Sequence, residues 1–456
     1  MPIYNIGTME RSKRAKRLSP IQTLVLGYLL VTTIGALILS LPVSSASGTR
    51  QSFFDALFVA ASGISTTGLT MVDIGSYYSR FGQIVLMCIF QIGGIGYMTF
   101  FMFIAYFLGI RPSFTTHVVA KESLATNSYH MLGRFFVNVL LYTILIEFMG
   151  ALVLTLFWMR EFSVSDSIYF GIFHSVAAFC TAGFSTFSNN LIDCRSSLIV
   201  NSTINIVSLL GAIGFFVLLD LYNYGYRKSK RLVPARLTLH SKMALLVTGI
   251  VVLAGAVIIF ISEKWSGGIP FSEKILTSFF QSISASTTDG FNTLDIGAMS
   301  GTSLTILMFL MFVGASPGST GGGMKTTALG TIFLSIKSFL RGNTRVNVFQ
   351  RELPQKTTTK AFALFGLFVL IVLIDVLILS NSEKVSYVQI MFETISALGN
   401  TGLSMGITAN LTLIGKLILT ITMFIGRVGP LTIGAAMFAQ EKKALIKFLP
   451  GEIFIG

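Results

Sequence analysis

The chain has 456 residues, 53% of them hydrophobic and only 11% charged, with a formal net charge of +14. A soluble globular protein carries roughly 25% charged residues, so the composition excludes one and marks an integral membrane protein. The positive charge would suit nucleic acid, but it is segregated: the N-terminal tail and residues 111–134, 220–242, 325–360 and 441–456 hold 24 of the 33 Lys and Arg and only 6 of the 19 acidic residues.

That segregation is the positive-inside pattern. It predicts five cytoplasmic zones, both termini among them, alternating with four membrane blocks of a multi-pass cell-membrane protein, and no nucleic-acid partner. In chain order, residues 1–20 form a basic tail containing RSKRAKR. The first block, 21–110, opens with the apolar run 21–45, which exceeds the 7–15 residue core of a cleaved signal and predicts an uncleaved helix. A shorter segment follows, FFDALFVAASGISTTGLT (53–70), then a second helix carrying GGIG (93–96). The second block, 131–225, repeats the order with the run 135–158, YFGIFHSVAAFCTAGFST (169–186) and GAIG (211–214). The third, 240–340, has 243–262, ILTSFFQSISASTTDGFNT (275–293) and GASP (314–317). The fourth, 359–440, has 361–381, IMFETISALGNTGLSM (390–405) and GRVG (426–429), and residues 441–456 close the chain as a cytoplasmic tail.

Aligned on Gly68, Gly183, Gly290 and Gly402, the four short segments agree by column. Ten positions upstream stand Phe58, Phe173, Phe280 and Phe392. Six upstream stand Ser62, Ala177, Ser284 and Ser396, and five upstream Gly63, Ala178, Ala285 and Ala397. About 12 helical residues cover about 18 Å, too little for a hydrocarbon core about 30 Å thick. These segments therefore read as re-entrant half-helices followed by extended loops, which membrane depth tolerates only around a water-filled or protein-lined space. The expected fold is an all-α membrane protein of four M1–P–M2 repeats. Eight transmembrane helices and four re-entrant pore half-helices would surround a pseudo-fourfold pore.

A dehydrated monovalent cation needs a ring of oxygens, and backbone carbonyls supply one. Turning carbonyls inward favours glycine. The expected selectivity filter is Thr66, Thr67, Gly68 and Leu69; Thr181, Ala182, Gly183 and Phe184; Thr288, Asp289, Gly290 and Phe291; and Asn400, Thr401, Gly402 and Leu403. Small residues also permit tight helix packing, but packing alone does not explain Thr-Gly turns ending segments too short to span.

With these motifs the chain resembles the Trk/Ktr/HKT superfamily of potassium transporters over essentially its whole length, and in particular the membrane subunit of bacterial Ktr systems. The resemblance implies K⁺ as the transported ion, held at the four filter glycines, with no covalently bound cofactor. It also implies a homodimer docked on a ring of cytoplasmic, KtrA-like regulatory subunits that bind nucleotide. A Na⁺-conducting or Na⁺-coupled transporter of the same fold is the alternative. One departure is TDGFN (288–292) where such proteins commonly read TAGFN. Asp289 either concentrates cations or alters K⁺/Na⁺ discrimination, or else hydrogen-bonds behind the filter and holds it.

The second helix of the third repeat is broken by Gly314, Ala315, Ser316, Pro317, Gly318, Ser319, Thr320, Gly321, Gly322 and Gly323. Pro317 lacks an amide hydrogen and five glycines disfavour helix. Residues 314–325 are thus expected to lie across the ion path as a gate, where the family also has a gating loop. A Walker A motif needs Gly-Lys together, and Met324 separates Gly323 from Lys325. Lys325 is either a second barrier or a cytoplasmic anchor. Arg427, deep in the last helix, defaults to function: it either repels cations and binds the loop's carbonyls, or pairs with Glu147 or Asp375. The linkers 226–236 and 341–353 read as topology signals that also suit a regulatory partner or anionic lipid. The tail FLPGEIFIG (448–456) resembles a docking strand. Three cysteines, Cys88, Cys180 and Cys194, make no disulfide framework. The four histidines show neither metal spacing nor the nucleophile–base pair an intramembrane protease would need.

Overall fold

The computed structural model describes residues 20–96, 129–231, 236–265 and 268–430. The expected N-terminal tail up to residue 19, most of the 111–134 zone, the ends of the first and fourth blocks and the docking tail lie outside the described residues.

In each repeat a long first helix leads into a half-helix, a glycine-containing turn and a second helix. The first repeat comprises α1 (Pro20–Leu39), α2 (Phe53–Ile64) and α3 (Arg80–Ile95). The second comprises α4 (Tyr129–Trp158), α5 (Val164–Phe179), α6 (Leu198–Ala212) and α7 (Phe215–Ser229). The third has α8 (Leu239–Ser262), α9 (Phe271–Thr287), α10 (Gly301–Val313) and α11 (Thr326–Leu340). The fourth has α12 (Gln355–Ser382), α13 (Tyr387–Gly399) and α14 (Leu413–Val428). Among the described residues the only paired strands are Asn347–Val348 and Arg351–Glu352, a hairpin in the linker between the third and fourth repeats.

The molecule is apolar outside. Leu246, Ile250, Leu253, Val257 and Ile261 stand exposed along one face of α8, while Ala244, Val252, Ala256 and Ile259 on the other face are buried. Helices near 3.6 residues per turn separate two faces in this way, and here the exposed face suits lipid. Among the described residues three helices, Val137–Trp158, Leu239–Ser262 and Gln355–Ser382, are long and apolar enough to cross a membrane unbroken.

In the second and third repeats the second helix is not continuous. The sequence predicts one interruption, in the third repeat; the structure shows that α6 and α7 also meet at 99°. The cause is local: Gly214 takes φ 99°. In the first and fourth repeats α3 and α14 likewise end against Gly96 (φ 85°) and Gly429 (φ 90°). In every repeat the GxxG-like element ends a described helix on a glycine of positive φ: Gly96, Gly214, Gly314 and Gly429. Each second helix starts on a hydroxyl cap that accepts from a first-turn amide: Ser79 from Gly82, Ser197 from Val200, Ser300 from Ser303 and Thr412 from Gly415. Such caps satisfy amides that have no intrahelical partner.

The repeats close into a ring. The second helix of each packs on the half-helix of the next: α3 on α5, α6 on α9, α10 on α13, and α14 back on α2. Ion pairs fasten three of these junctions near the half-helix N-termini, Arg80 with Asp166, Arg195 with Glu273 at 2.6 Å and Lys416 with Asp55 at 2.6 Å. At the fourth junction α13 instead carries a capping box of Ser386 and Gln389.

Candidate ion pathway

All four half-helices end alike. The residue two before each of Gly68, Gly183, Gly290 and Gly402 has positive φ: Thr66 at 53°, Thr181 at 51°, Thr288 at 60° and Asn400 at 53°. The following amide reaches back to the Ser/Ala column, from Thr67 to Ser62, Ala182 to Ala177, Asp289 to Ser284 and Thr401 to Ser396, at 2.8–2.9 Å. The positive-φ residue itself donates to the Gly/Ala column. This is the Schellman closure of a helix C-terminus. The two small-residue columns seen in the sequence are its two carbonyl acceptors.

The four glycines then meet. A Cβ on Gly68 would stand 2.5 Å from the Ala182 carbonyl oxygen, and one on Gly183 2.5 Å from that of Asp289. One on Gly290 would stand 2.1 Å from the Thr401 carbonyl oxygen, and one on Gly402 2.1 Å from that of Thr67. The cycle runs through all four repeats and returns to the first. Only glycine tolerates both that approach and its own positive φ. Leu69, Phe184, Phe291 and Leu403 turn away and are buried in the packing around the ring. The half-helix C-termini, the negative ends of their dipoles, point at the ring.

On one side of the ring lies a cavity of about 300 Å³, lined by Gly68 to Asp73 and by Gly402, Ser404, Gly406, Thr408 and Ala409. We call this side outer. Burial pushes the Asp73 carboxyl up, but the Ser188 and Ser76 hydroxyls and the Gly75 and Ser76 amides outweigh it and hold Asp73 below the usual carboxylate range. The cavity therefore carries a negative charge at neutral pH.

On the inner side residues 314–325 lie directly under the ring and touch all four repeats. The Thr320 carbonyl accepts from the Thr66 hydroxyl at 3.3 Å, and the Thr320 hydroxyl lies 3.4 Å from that of Thr181. The Gly322 amide donates to the Thr288 hydroxyl at 3.0 Å. A Cβ on Gly322 would meet Asn400 Oδ1 at 2.5 Å. The loop also caps the broken second helix of the second repeat. Ser316 and Thr320 amides donate to the Ala212 and Gly211 carbonyls, and the Phe215 amide donates to Gly318.

Arg427 Nη1 donates to the Thr320 carbonyl and Nη2 to the Gly93 carbonyl, with Gly94 at 3.4 Å. It joins the fourth repeat to the loop and to the end of α3. Glu147 accepts from Gln91 Nε2 at 2.9 Å and Asp375 from Thr422 at 2.6 Å, so both candidate carboxylates have neutral donors. Lys325 folds back, its Nζ donating to the Gly321 and Gly322 carbonyls at 2.7 and 3.0 Å. Asp289 is buried against the Ser208 hydroxyl of α6, with its Oδ1 unpartnered among the described residues. The cysteines are free, and Cys180 donates to Gln91 at 3.0 Å.

The sequence reading missed the column nine positions before each filter glycine, Val59, His174, Gln281 and Glu393. It sits one residue after the Phe column, and three of its members are polar and buried. Buried polar side chains on a membrane half-helix were the available signal.

A helical membrane protein with four half-helices closing one ring of glycines belongs to a class built around a shared central axis. The chain belongs to the TrkH family of cation transport proteins, whose family model matches residues 10–444. That family consists of ion transporters rather than enzymes. The chain is 34% identical over 455 residues to the Ktr system potassium uptake protein B of Bacillus subtilis, covering 98% of this chain and all of the relative. It is 35% identical to the protein of the same name from Vibrio alginolyticus, covering 95% and 94%. It is also 32% identical to the potassium/sodium uptake protein NtpJ of Enterococcus hirae, covering 96% and 97%. Among solved structures, the potassium transporter TrkH from Vibrio parahaemolyticus shares the fold, with a TM-score of 0.70 over 94% of this chain and 87% of that one, at 18% identity.

Proposed function

We propose that this chain takes up K⁺ across the cell membrane through the ring of Gly68, Gly183, Gly290 and Gly402, and that residues 314–325 with Arg427 gate it from the inner, cytoplasmic side. The observation that carries the reading is the closed cycle of glycine-to-carbonyl approaches, one per repeat, which brings together the four glycines, the four residues whose carbonyls they meet and four helix C-termini. Carbonyl oxygens so arranged replace the hydration shell of a monovalent cation. In this reading the loop blocks the path by position, and Arg427 and Lys325 add positive charge where a cation would pass. Loop release would clear the block and carry Lys325 with it, and would free Arg427 of its Thr320 contact.

The names of the relatives support potassium as the ion and a Ktr-type system with a cooperating regulatory component. A homodimer on a nucleotide-binding cytoplasmic ring, with both termini cytoplasmic, completes the proposal. The four repeats keep the boundaries 21–110, 131–225, 240–340 and 359–440. A second reading, Na⁺ conduction or coupling, is favoured by Asp289 beside the ring and by the potassium/sodium relative.

The test is tracer Rb⁺ uptake into liposomes holding the purified chain, with K⁺ and Na⁺ as competitors. Competition by K⁺ at least tenfold stronger than by Na⁺ is expected, and Gly290→Ser should collapse that ratio. Equal competition in the unmodified chain would favour the Na⁺ reading. Uptake that is indifferent to Gly290→Ser would remove the ring from the ion path.

A further inference from the structure

The column nine residues before each filter glycine does one job with three chemistries. His174 Nδ1 donates to the Phe170 carbonyl at 2.9 Å, which leaves Nε2 to accept from Ser185 Oγ at 3.0 Å, two residues past Gly183. Gln281 Oε1 accepts from the Thr293 amide at 3.3 Å, three residues past Gly290. Glu393 Oε1 accepts from the Ser404 hydroxyl and, at 3.2 Å, from the Met405 amide, two and three residues past Gly402. Its Oε2 accepts from Thr408 at 3.1 Å. Each side chain reaches from the half-helix to the strand of chain leaving the filter on the outer side. In the first repeat Val59 fills the position and makes no such bond.

Glu393 stands apart from its two counterparts. It is 1% exposed, three donors converge on its carboxylate, and no ion pair reaches it among the described residues. Burying a charge without a partner costs several kcal/mol unless hydrogen bonds and a counter-charge offset it. The hydrogen bonds are present. The counter-charge has an obvious place, because Ser404, Gly406 and Thr408 line the outer cavity together with Gly68 and Gly402.

We propose that Glu393 is a positioning residue for ion selectivity: it fixes residues 404–408 as one wall of the entrance, and a monovalent cation in that entrance balances its buried charge. The proposal rests on the ring being the filter. It predicts unequal quadrants. The wall of the fourth repeat is held and backed by the buried Glu393, whereas that of the first has Val59 behind it and carries its charge at the cavity surface on Asp73.

The experiment compares Glu393→Gln, Glu393→Ala, Thr408→Val and Gly402→Ser in the full chain, by Rb⁺ uptake with K⁺ and Na⁺ competitors. A second readout is stabilisation against heat by K⁺ or Na⁺, which needs no open gate, since an ion that binds the folded state raises its stability. Glu393→Gln should weaken half-saturation by K⁺ about tenfold and shift the K⁺/Na⁺ ratio at least threefold in both readouts. Thr408→Val should shift the ratio in the same direction and add little to Glu393→Gln. A merely structural role would lower stability in every salt alike and leave the ratio unchanged. Should Glu393→Ala fail to fold, Glu393→Gln and Thr408→Val decide. Wild-type affinity and ratio in both of these overturn the proposal. If Gly402→Ser changes the ratio and the Glu393 variants do not, only this inference falls; if Gly402→Ser is also silent, the filter reading falls with it.

Discussion

Three threonines hold a backbone conformation that β-branched residues avoid. Thr66, Thr181 and Thr288 have φ between 51° and 60°, a left-handed geometry that costs about 1–2 kcal/mol per residue. Glycine or asparagine would close the same motif with less strain, as Asn400 does in the fourth repeat. What threonine adds is a hydroxyl on the inner side: those of Thr66, Thr181 and Thr288 meet Thr320 or Gly322 of the loop. Strain of this kind concentrates where function holds it. Thr66→Gly is therefore expected to raise unstimulated Rb⁺ uptake severalfold while the thermal midpoint stays level or rises, and Thr66→Ser should behave as wild type. Unchanged uptake in Thr66→Gly would mean that the hydroxyl has no hold on the loop.

At the scale of elements, the loop is stitched to a break in a neighbouring repeat. The carbonyls that α6 leaves unpaired at its end and the first amide of α7 are satisfied by Ser316, Thr320 and Gly318. Moving the loop strands both helix ends, so the loop and the 99° bend must change together. Gly214 is the joint, since a Cβ there would stand 2.7 Å from the Pro317 carbonyl oxygen at a φ of 99°. Gly214→Ala is expected to cost about 1–3 kcal/mol. It should speed hydrogen exchange at the Ser316 and Thr320 amides and raise uptake; protected amides in this variant would uncouple bend from loop. The sequence made the third break legible because Pro317 and five glycines announce it. The positive-φ turns at Gly96, Gly214 and Gly429 were not, because one glycine within GxxG looks the same whether it allows close packing or turns the chain. The small-residue columns before the four glycines were legible because a Schellman closure is local and imposes small residues at fixed spacing. The column of Val59, His174, Gln281 and Glu393 was hidden because its members share a geometry and no residue type.

At the scale of the whole molecule, one chain does what four subunits would do by symmetry, so its last repeat must find its first. Lys416 and Asp55 make that closure across 361 positions of sequence, a pairing no local pattern reveals. Both side chains are about a quarter exposed or less, and pairs near that setting are worth about 0.5–1 kcal/mol. A double-mutant cycle of Lys416→Met and Asp55→Asn, read by denaturant unfolding, should return a coupling of that size; zero coupling would leave closure to α14 and α2 packing alone. The ring thus rests on apolar helix contacts, whereas residues 316–323 beneath it do not. From Ser316 to Gly323 the loop offers one apolar ring, Pro317, among hydroxyls and glycines, and hydrogen bonds with carbonyls, amides and threonines hold it. Heat capacity follows the exposure of apolar surface, rising by about 0.45 cal/K/mol/Å², and falls with polar exposure. Releasing residues 316–323, with Met324 left in its packing against Phe368 and Leu398, therefore changes heat capacity little. The balance between shut and open should give a nearly straight van't Hoff plot over the range in which the protein stays folded, with uptake drifting gently rather than switching as the cell cools or warms. A strongly curved plot would show that a larger apolar surface travels with the loop.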